Sequence, residues 1–321
     1  MTAPIVGLHH VTAIAGDPQT NVDFYTSVLG LRLVKRTVNF DAPDTYHLYY
    51  GDEVGHPGTI LTFFPWPGAP KGRRGTGQVT VTGFSIPESS VGYWRDRLTG
   101  HNVPVEGPVR RFEEEVVTLR DPDGLQIELV AHTTAQKNEP WRDGPIPAAE
   151  AIRGFHGVTI CEAGYERTAK LLTETMGLRA GATEQDRFRF IAGDDLWSGG
   201  VVDIVCKPGQ PRGSVAVGTV HHIAFRVPGD REQLEWRTKL VAADLDVTPP
   251  IDRQYFHSIY YREPGGVLFE IATDPPGFTS DEPLDALGSS LRLPPWLEST
   301  RGQVEQALAP VKLPASEGSK A

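Results

Sequence analysis

Cysteine is nearly absent: Cys161 and Cys206 are the two in 321 residues, far apart and outside any CxxC spacing. That excludes a disulfide framework and a zinc site built on paired thiolates. Long apolar runs are also missing, and none approaches the roughly 20 residues of a membrane helix. Positive charge is in deficit, with 31 Lys and Arg against 41 Asp and Glu, a net charge of −10. A nucleic-acid partner is therefore not expected. The opening MTAPIVGLHH has no basic stretch leading into an apolar one, so no signal peptide and a cytoplasmic location are expected. No GxSxG elbow occurs. The basic run Lys71-Gly72-Arg73-Arg74-Gly75 lacks the GxxxxGK[ST] order and reads as a flexible loop.

What is present is repetition. Four variants of one unit fall at about 7–64, 78–132, 154–206 and 219–273. Each opens with a β-like run, continues through a helix, and ends in strand candidates such as TYHLYYG, TILTFFP, EEVVTLR and LQIELVA. In the first unit Asp17 can cap, Pro18 suits the first helical position, and Gly30 stops the helix. Val91, Trp94 and Leu98 share a helical face in the second, Leu172 and Met176 precede Gly177 in the third, and the fourth helix runs from Asp230 to Val241. The fold class expected is α+β: four βαβββ modules pairing into two cupped mixed sheets. Units one and three match best (GLHHVT with GFHGVT), as do two and four (DPDGLQIELV with EPGGVLFEIA). This implies a module pair over 1–135, a second over 150–275, and a linker near 133–153 broken by Pro140, Gly144, Pro145 and Pro147. An extension over 276–321 follows, with a short helix reaching Leu308 and a disordered end.

The pair His9-His10 returns as His221-His222, and Glu270 lies in GGVLFEIATD. Two imidazoles and a carboxylate on separate strands form the facial set that suits Fe(II) with open positions. Aligning the modules sets His10 against Gly157, His222 against Val81, and Glu270 against Glu128. One site per chain is therefore expected, Glu128 being a locally paired strand residue. His9 aligns with His156, and adjacent strand side chains point to opposite faces; this selects His10 and His222. A lone strand histidine is more often a satisfied polar residue. A buried Glu270 between Phe269 and Ile271, however, would be costly without a cation.

The pattern resembles the vicinal oxygen chelate superfamily of glyoxalases, fosfomycin-resistance proteins and extradiol dioxygenases. Within it, the pattern is most similar to the hydroquinone and chlorohydroquinone 1,2-dioxygenase group. The segments LHHVTAIAGD, FYTSVLGLRLVKRTVNFD, TYHLYYGDEVGHPGTILTFFP, RGFHGVT, VHHIAFRVP and RQYFHSIYYREPGGVLFEIATDPPGFT carry the resemblance. It implies iron ligands from modules one and four, again His10, His222 and Glu270. It also implies that Arg253 and Tyr260 line the substrate pocket, with His9, Thr12 and His221 beside the ligands. His257 is a further acid/base candidate, and His47 a candidate neighbour or plain strand histidine.

The activity expected is Fe(II)-dependent, O2-consuming cleavage of a hydroquinone-like or catechol-like ring, with Mn(II) or another divalent ion as the alternative metal. The partners are a small aromatic substrate and O2, without nucleic acid or membrane, and a homo-oligomer is compatible with this. A glyoxalase-type lyase or isomerase is the competing enzyme class, and a metal-free module binding aromatic ligands the competing non-enzyme.

Overall fold

The structure, a computed structural model, describes residues 2–193 and 199–313. Each module supplies four strands around one helix. Module one gives β1 (Leu8–Ala15), β2 (Arg32–Asn39), β3 (Ala42–Gly51) and β4 (Ile60–Pro65); module two gives β5 (Gln78–Ile86), β6 (Val105–Arg111), β7 (Glu114–Arg120) and β8 (Gln126–Ala131). Module three gives β9 (Phe155–Glu162), β10 (Arg179–Glu184), β11 (Arg187–Ile191) and β12 (Val201–Cys206); module four gives β13 (Thr219–Val227), β14 (Ile251–Asp252), β15 (Phe256–Arg262) and β16 (Leu268–Pro276). The chain folds as two curled mixed sheets of eight strands, ordered β14-β15-β16-β13-β1-β4-β3-β2 and β10-β11-β12-β9-β5-β8-β7-β6. Each sheet thus joins modules from both halves of the sequence, one and four in the first, two and three in the second.

The helices begin and end where local chemistry dictates. The Asp17 carboxylate accepts the Thr20 amide at 2.8 Å, Pro18 occupies the first turn, and Gly30 reverses the chain at φ +69°. In the helix Asp230–Ala242 the buried face is Gln233, Trp236 and Leu240, whereas Leu234 and Val241 face outward. Trp94 and Leu98 of the helix Val91–Gly100 are fully buried, and the Trp94 indole N–H donates to the Glu150 carbonyl, fastening the linker down.

Two antiparallel seams, β1 with β13 and β9 with β5, repeat the same register. His10 faces Ala224 and Thr12 faces His222; Gly157 faces Gly83 and Thr159 faces Val81. Both seams slip at the same two places, so His9 and His221 are the extra residues of β-bulges in one sheet, and His156 and Thr80 their counterparts in the other.

After β16 the chain returns across module one. Leu291 bridges to Arg36 on the edge strand β2, and the helix Arg301–Ala307 ends just before Leu308 as expected. Lys35 of β2 is fully buried and reaches Asp281 and Glu282, each at 2.5 Å. The expected disorder of the last residues falls, from 314 onward, outside the described residues. The basic run at 71–75 is not the free loop expected: Lys71 bridges Val217 and Arg73 bridges Ser214, so paired backbone holds it.

Candidate metal centre

His10 of β1, His222 of β13 and Glu270 of β16 come together at the middle of the first sheet. The two Nε2 atoms are 3.2 Å apart, and Glu270 Oε2 lies 3.2 Å from one and 3.0 Å from the other. These are the spacings of ligands at right angles about one ion with bonds of about 2.1 Å. Glu270 Oε1 accepts the Ser258 hydroxyl at 2.5 Å, but Oε2 is buried and no donor is aimed at it. A buried carboxylate oxygen left without a donor fits a cation at that point. Among the described residues this is the one cluster of three ligating side chains so arranged.

Electrostatics prepare the same state. Burial alone would raise the Glu270 carboxyl, but His10 and His222 outweigh it and hold it well below the usual carboxylate range. Burial lowers His222 against the pull of Glu270. Burial also holds His9 and His47 well below the ordinary histidine value, helped by His10, and takes His221 down to about 3, helped by His222. A divalent metal requires an ionised carboxylate and neutral imidazoles as ligands, and Glu270 and His222 are shifted in those directions.

The alternation expected for the two histidine pairs does not hold, because the bulges break it. Nδ1 of His9 lies 2.9 Å from Nδ1 of His10, and Nδ1 of His221 lies 2.7 Å from Nδ1 of His222. If the ligand Nε2 atoms are bare, each ligand must carry its proton on Nδ1 and donate it to the preceding histidine. Each bulge residue thereby fixes the tautomer of its neighbour. His9 also bonds to the Thr273 backbone and packs on Phe256.

A cavity of about 250 Å³ opens in front of the ligands. Tyr260 and Arg253 line it, together with His221, His47, Tyr49, Phe64, Trp66 and the β2–β3 turn. Tyr260 pairs directly with Glu270 across β15 and β16, and its ring stands edge-on to His222 at 5.7 Å. Arg253 Nε donates to the Tyr260 hydroxyl at 3.2 Å. Burial and Glu270 raise the Tyr260 phenol, so it stays an O–H. Two expected residues stand elsewhere. His257 points off the opposite face of β15 to Asp230, with its Nδ1 2.6 Å from Oδ1, and does not line the cavity. Thr12 is fully buried and reaches the cavity only through Thr62, which in turn contacts His47 at 2.8 Å. Ser258, Tyr49 and Asp41 escaped the sequence reading. Ser258 was within reach, since it shares strand parity with Tyr260.

The second sheet holds no such centre among its described residues. Glu128 sits where Glu270 does, and Arg111 clasps it with two bonds of 2.5 and 2.9 Å. A guanidinium thus neutralises the carboxylate. His156 and Arg189 converge on Glu114, each at 2.7 Å, and Arg189 continues to Asp203, filling the rest of this cup with ion pairs. At Gly157 a Cβ would lie 2.0 Å from the Val201 carbonyl oxygen, so no side chain fits there.

Fold and site together define a class. The chain belongs to the Glyoxalase/Bleomycin resistance protein/Dioxygenase superfamily, whose family model matches residues 7–129 and 154–271. It is 46% identical over 313 residues to the proposed ring-cleaving dioxygenase MhqO of Bacillus subtilis (strain 168), covering 98% of this chain and 99% of that one. It is 34% identical over 308 residues to the chlorohydroquinone/hydroquinone 1,2-dioxygenase of Sphingobium indicum, covering 94% and 95%. The crystal structure of a proposed dioxygenase from Bacillus subtilis subsp. subtilis str. 168 superposes with a TM-score of 0.91 at 45% identity, covering 97% and 99%. Among the described residues no helix is long and apolar enough to cross a membrane.

Proposed function

We propose that the protein is a ring-cleaving dioxygenase that holds Fe(II) on His10, His222 and Glu270 and opens a hydroquinone-like ring with O2. One observation carries the reading: a His-His-Glu ligand set faces an aromatic-walled cavity that also presents a phenol and a guanidinium. Full-length similarity to a hydroquinone 1,2-dioxygenase supports it. When bound, the iron would supply adjacent open positions and electrons for the ring oxygen and O2.

The chain's own residues account for the rest. Phe64, Trp66 and Tyr49 offer flat apolar surface to a ring and keep water away from it. Arg253 donates to the Tyr260 oxygen, which frees the Tyr260 O–H to donate to a substrate oxygen inside the cavity. With Nδ1 turned to His222, His221 carries its proton on Nε2 and is a second neutral donor at the wall. Ser258 fixes the plane of Glu270 from behind.

The test is anaerobic loading with Fe(II), followed by an oxygen-electrode screen of substituted hydroquinones and catechols. The expected result is one O2 consumed per ring opened, with both atoms of labelled dioxygen in a ring-opened acid. Turnover of a methylglyoxal–thiol adduct without oxygen would place the protein with the glyoxalase-type lyases instead.

A further inference from the structure

The cavity has one wall that the ligand set does not explain. The β2–β3 hairpin turns in two residues, Phe40 and Asp41, between the paired Asn39 and Ala42. The Asn39 carboxamide oxygen accepts the Asp41 amide at 3.0 Å and shapes the tip. Asn39, Phe40 and Asp41 all line the cavity. From outside, Trp296 of the C-terminal extension packs edge-on against Phe40 at 5.6 Å, bracing the turn over the opening.

From this tip Asp41 reaches Arg253, with Oδ2 3.0 Å from Nη1. The two ends of the pair differ sharply. The Arg253 side chain is 20% exposed and the Asp41 side chain 74% exposed. Arg253 is spread over the Tyr260 ring and bonded to its hydroxyl, whereas Asp41 has solvent around it. An ion pair with one well-hydrated member is worth little and breaks at small cost. The guanidinium Nη2 has no partner among the described residues. Arg253 is thus a fixed cation whose one formal counter-charge is on loan from a surface turn.

We propose that Asp41 is a specificity gate: its carboxylate occupies Arg253 when the cavity is empty and gives way to the oxyanion of an aromatic ligand. A neutral ring gains nothing at Arg253 that Asp41 does not already supply. An anionic ring replaces one carboxylate by one oxyanion and releases Asp41 to water, so the gate sets how strongly the pocket prefers anions. The choice of an aromatic ligand rests on the ring-cleaving reading, but the test needs no turnover.

The experiment is a binding titration of Fe(II)-loaded protein under nitrogen, repeated on metal-free protein. The anionic probe is 4-nitrophenolate, followed by its absorbance, and the neutral probe is benzyl alcohol, followed by calorimetry. Asp41→Asn, an exposed and nearly isosteric change, should tighten 4-nitrophenolate about fivefold, the scale of one released surface ion pair. Benzyl alcohol should bind unchanged. In an Arg253→Gln background the same Asp41→Asn change should have no effect on either probe. Weaker binding of both probes by Asp41→Asn would make Asp41 a mere prop for Arg253 and overturn the gate, as would unchanged binding of the anion. If no aromatic compound is ever cleaved, the catalytic reading falls while a fivefold gain in anion binding still stands.

Discussion

His10, His222 and Glu270 converge three ligating atoms from buried side chains, and among the described residues no fourth His, Cys, Asp or Glu joins their group. Alanine at any of the three should abolish metal retention, read as metal per chain after desalting, with far-ultraviolet circular dichroism unchanged. His9 tests the tautomer argument. Without it the His10 Nδ1 proton loses its acceptor, and His9→Ala should weaken metal binding by about 10- to 100-fold without abolishing it. Competition with a chelator measures this. For Tyr260, Tyr260→Phe should keep its iron yet turn over about 10²-fold more slowly, as for a lost proton donor. Arg253→Ala should chiefly raise KM, as for a lost ground-state contact. Kinetics at matched iron content separates the two. The candidate histidine ligands were legible because duplication set His10 against Gly157 and His222 against Val81, neither of which can ligate. His257 misled because a strand shows both faces to the sequence reader, and Asp41 left no trace because a turn tip has no pattern.

Among the elements, the bulged seams decide what the two sheets can do. Both keep the slip that admits an extra residue, but at Gly157 the Val201 carbonyl fills the space a ligand side chain needs, and Arg111 already satisfies Glu128. Protein loaded with excess Fe(II) and desalted should therefore hold close to one iron per chain by elemental analysis; two would refute the loss of the second site. The extension after β16 depends on Lys35. Lys35→Met would leave Asp281 without its cation and the fully buried Glu282 with only the partly exposed Arg292, 3.3 Å away. The cost expected is about 3–5 kcal/mol, measurable by urea unfolding. Helices were readable from caps and spacing, as at Asp17 and Gly30. The bulges were not, since they follow from pairing between strands distant in the chain, and they undid the alternation assumed for His9.

At the scale of the molecule, a carboxyl pair links the two sheets. Glu162 ends β9 in the second sheet, and Glu263 lies in the turn between β15 and β16 in the first. Glu263 accepts the Thr168 hydroxyl and the Gly265 and Val267 amides. Glu162 is pushed up to about 8 by burial and by Glu263, with Arg212 opposing. In the folded chain it therefore keeps a proton that the unfolded chain releases in the ordinary carboxylate range. Its contribution to stability is full at lower pH and is lost as pH rises toward about 8. The melting temperature should fall across that interval, and Glu162→Gln, neutral throughout, should flatten the fall; parallel curves would show that the pair does not govern it. Module order could be read from internal similarity, whereas this junction could not, because Glu162 has no acidic counterpart in module one.

His10 and His222 stand 212 positions apart along the chain. During synthesis at about 5–20 residues per second, roughly ten seconds or more separate their emergence from the ribosome, and Glu270 follows later still. A nascent chain can display the first histidine pair long before it can grip an ion. Assembly of the three-residue cluster is thus postponed until the last module has docked on the first, and a chain cut short before Glu270 lacks its carboxylate.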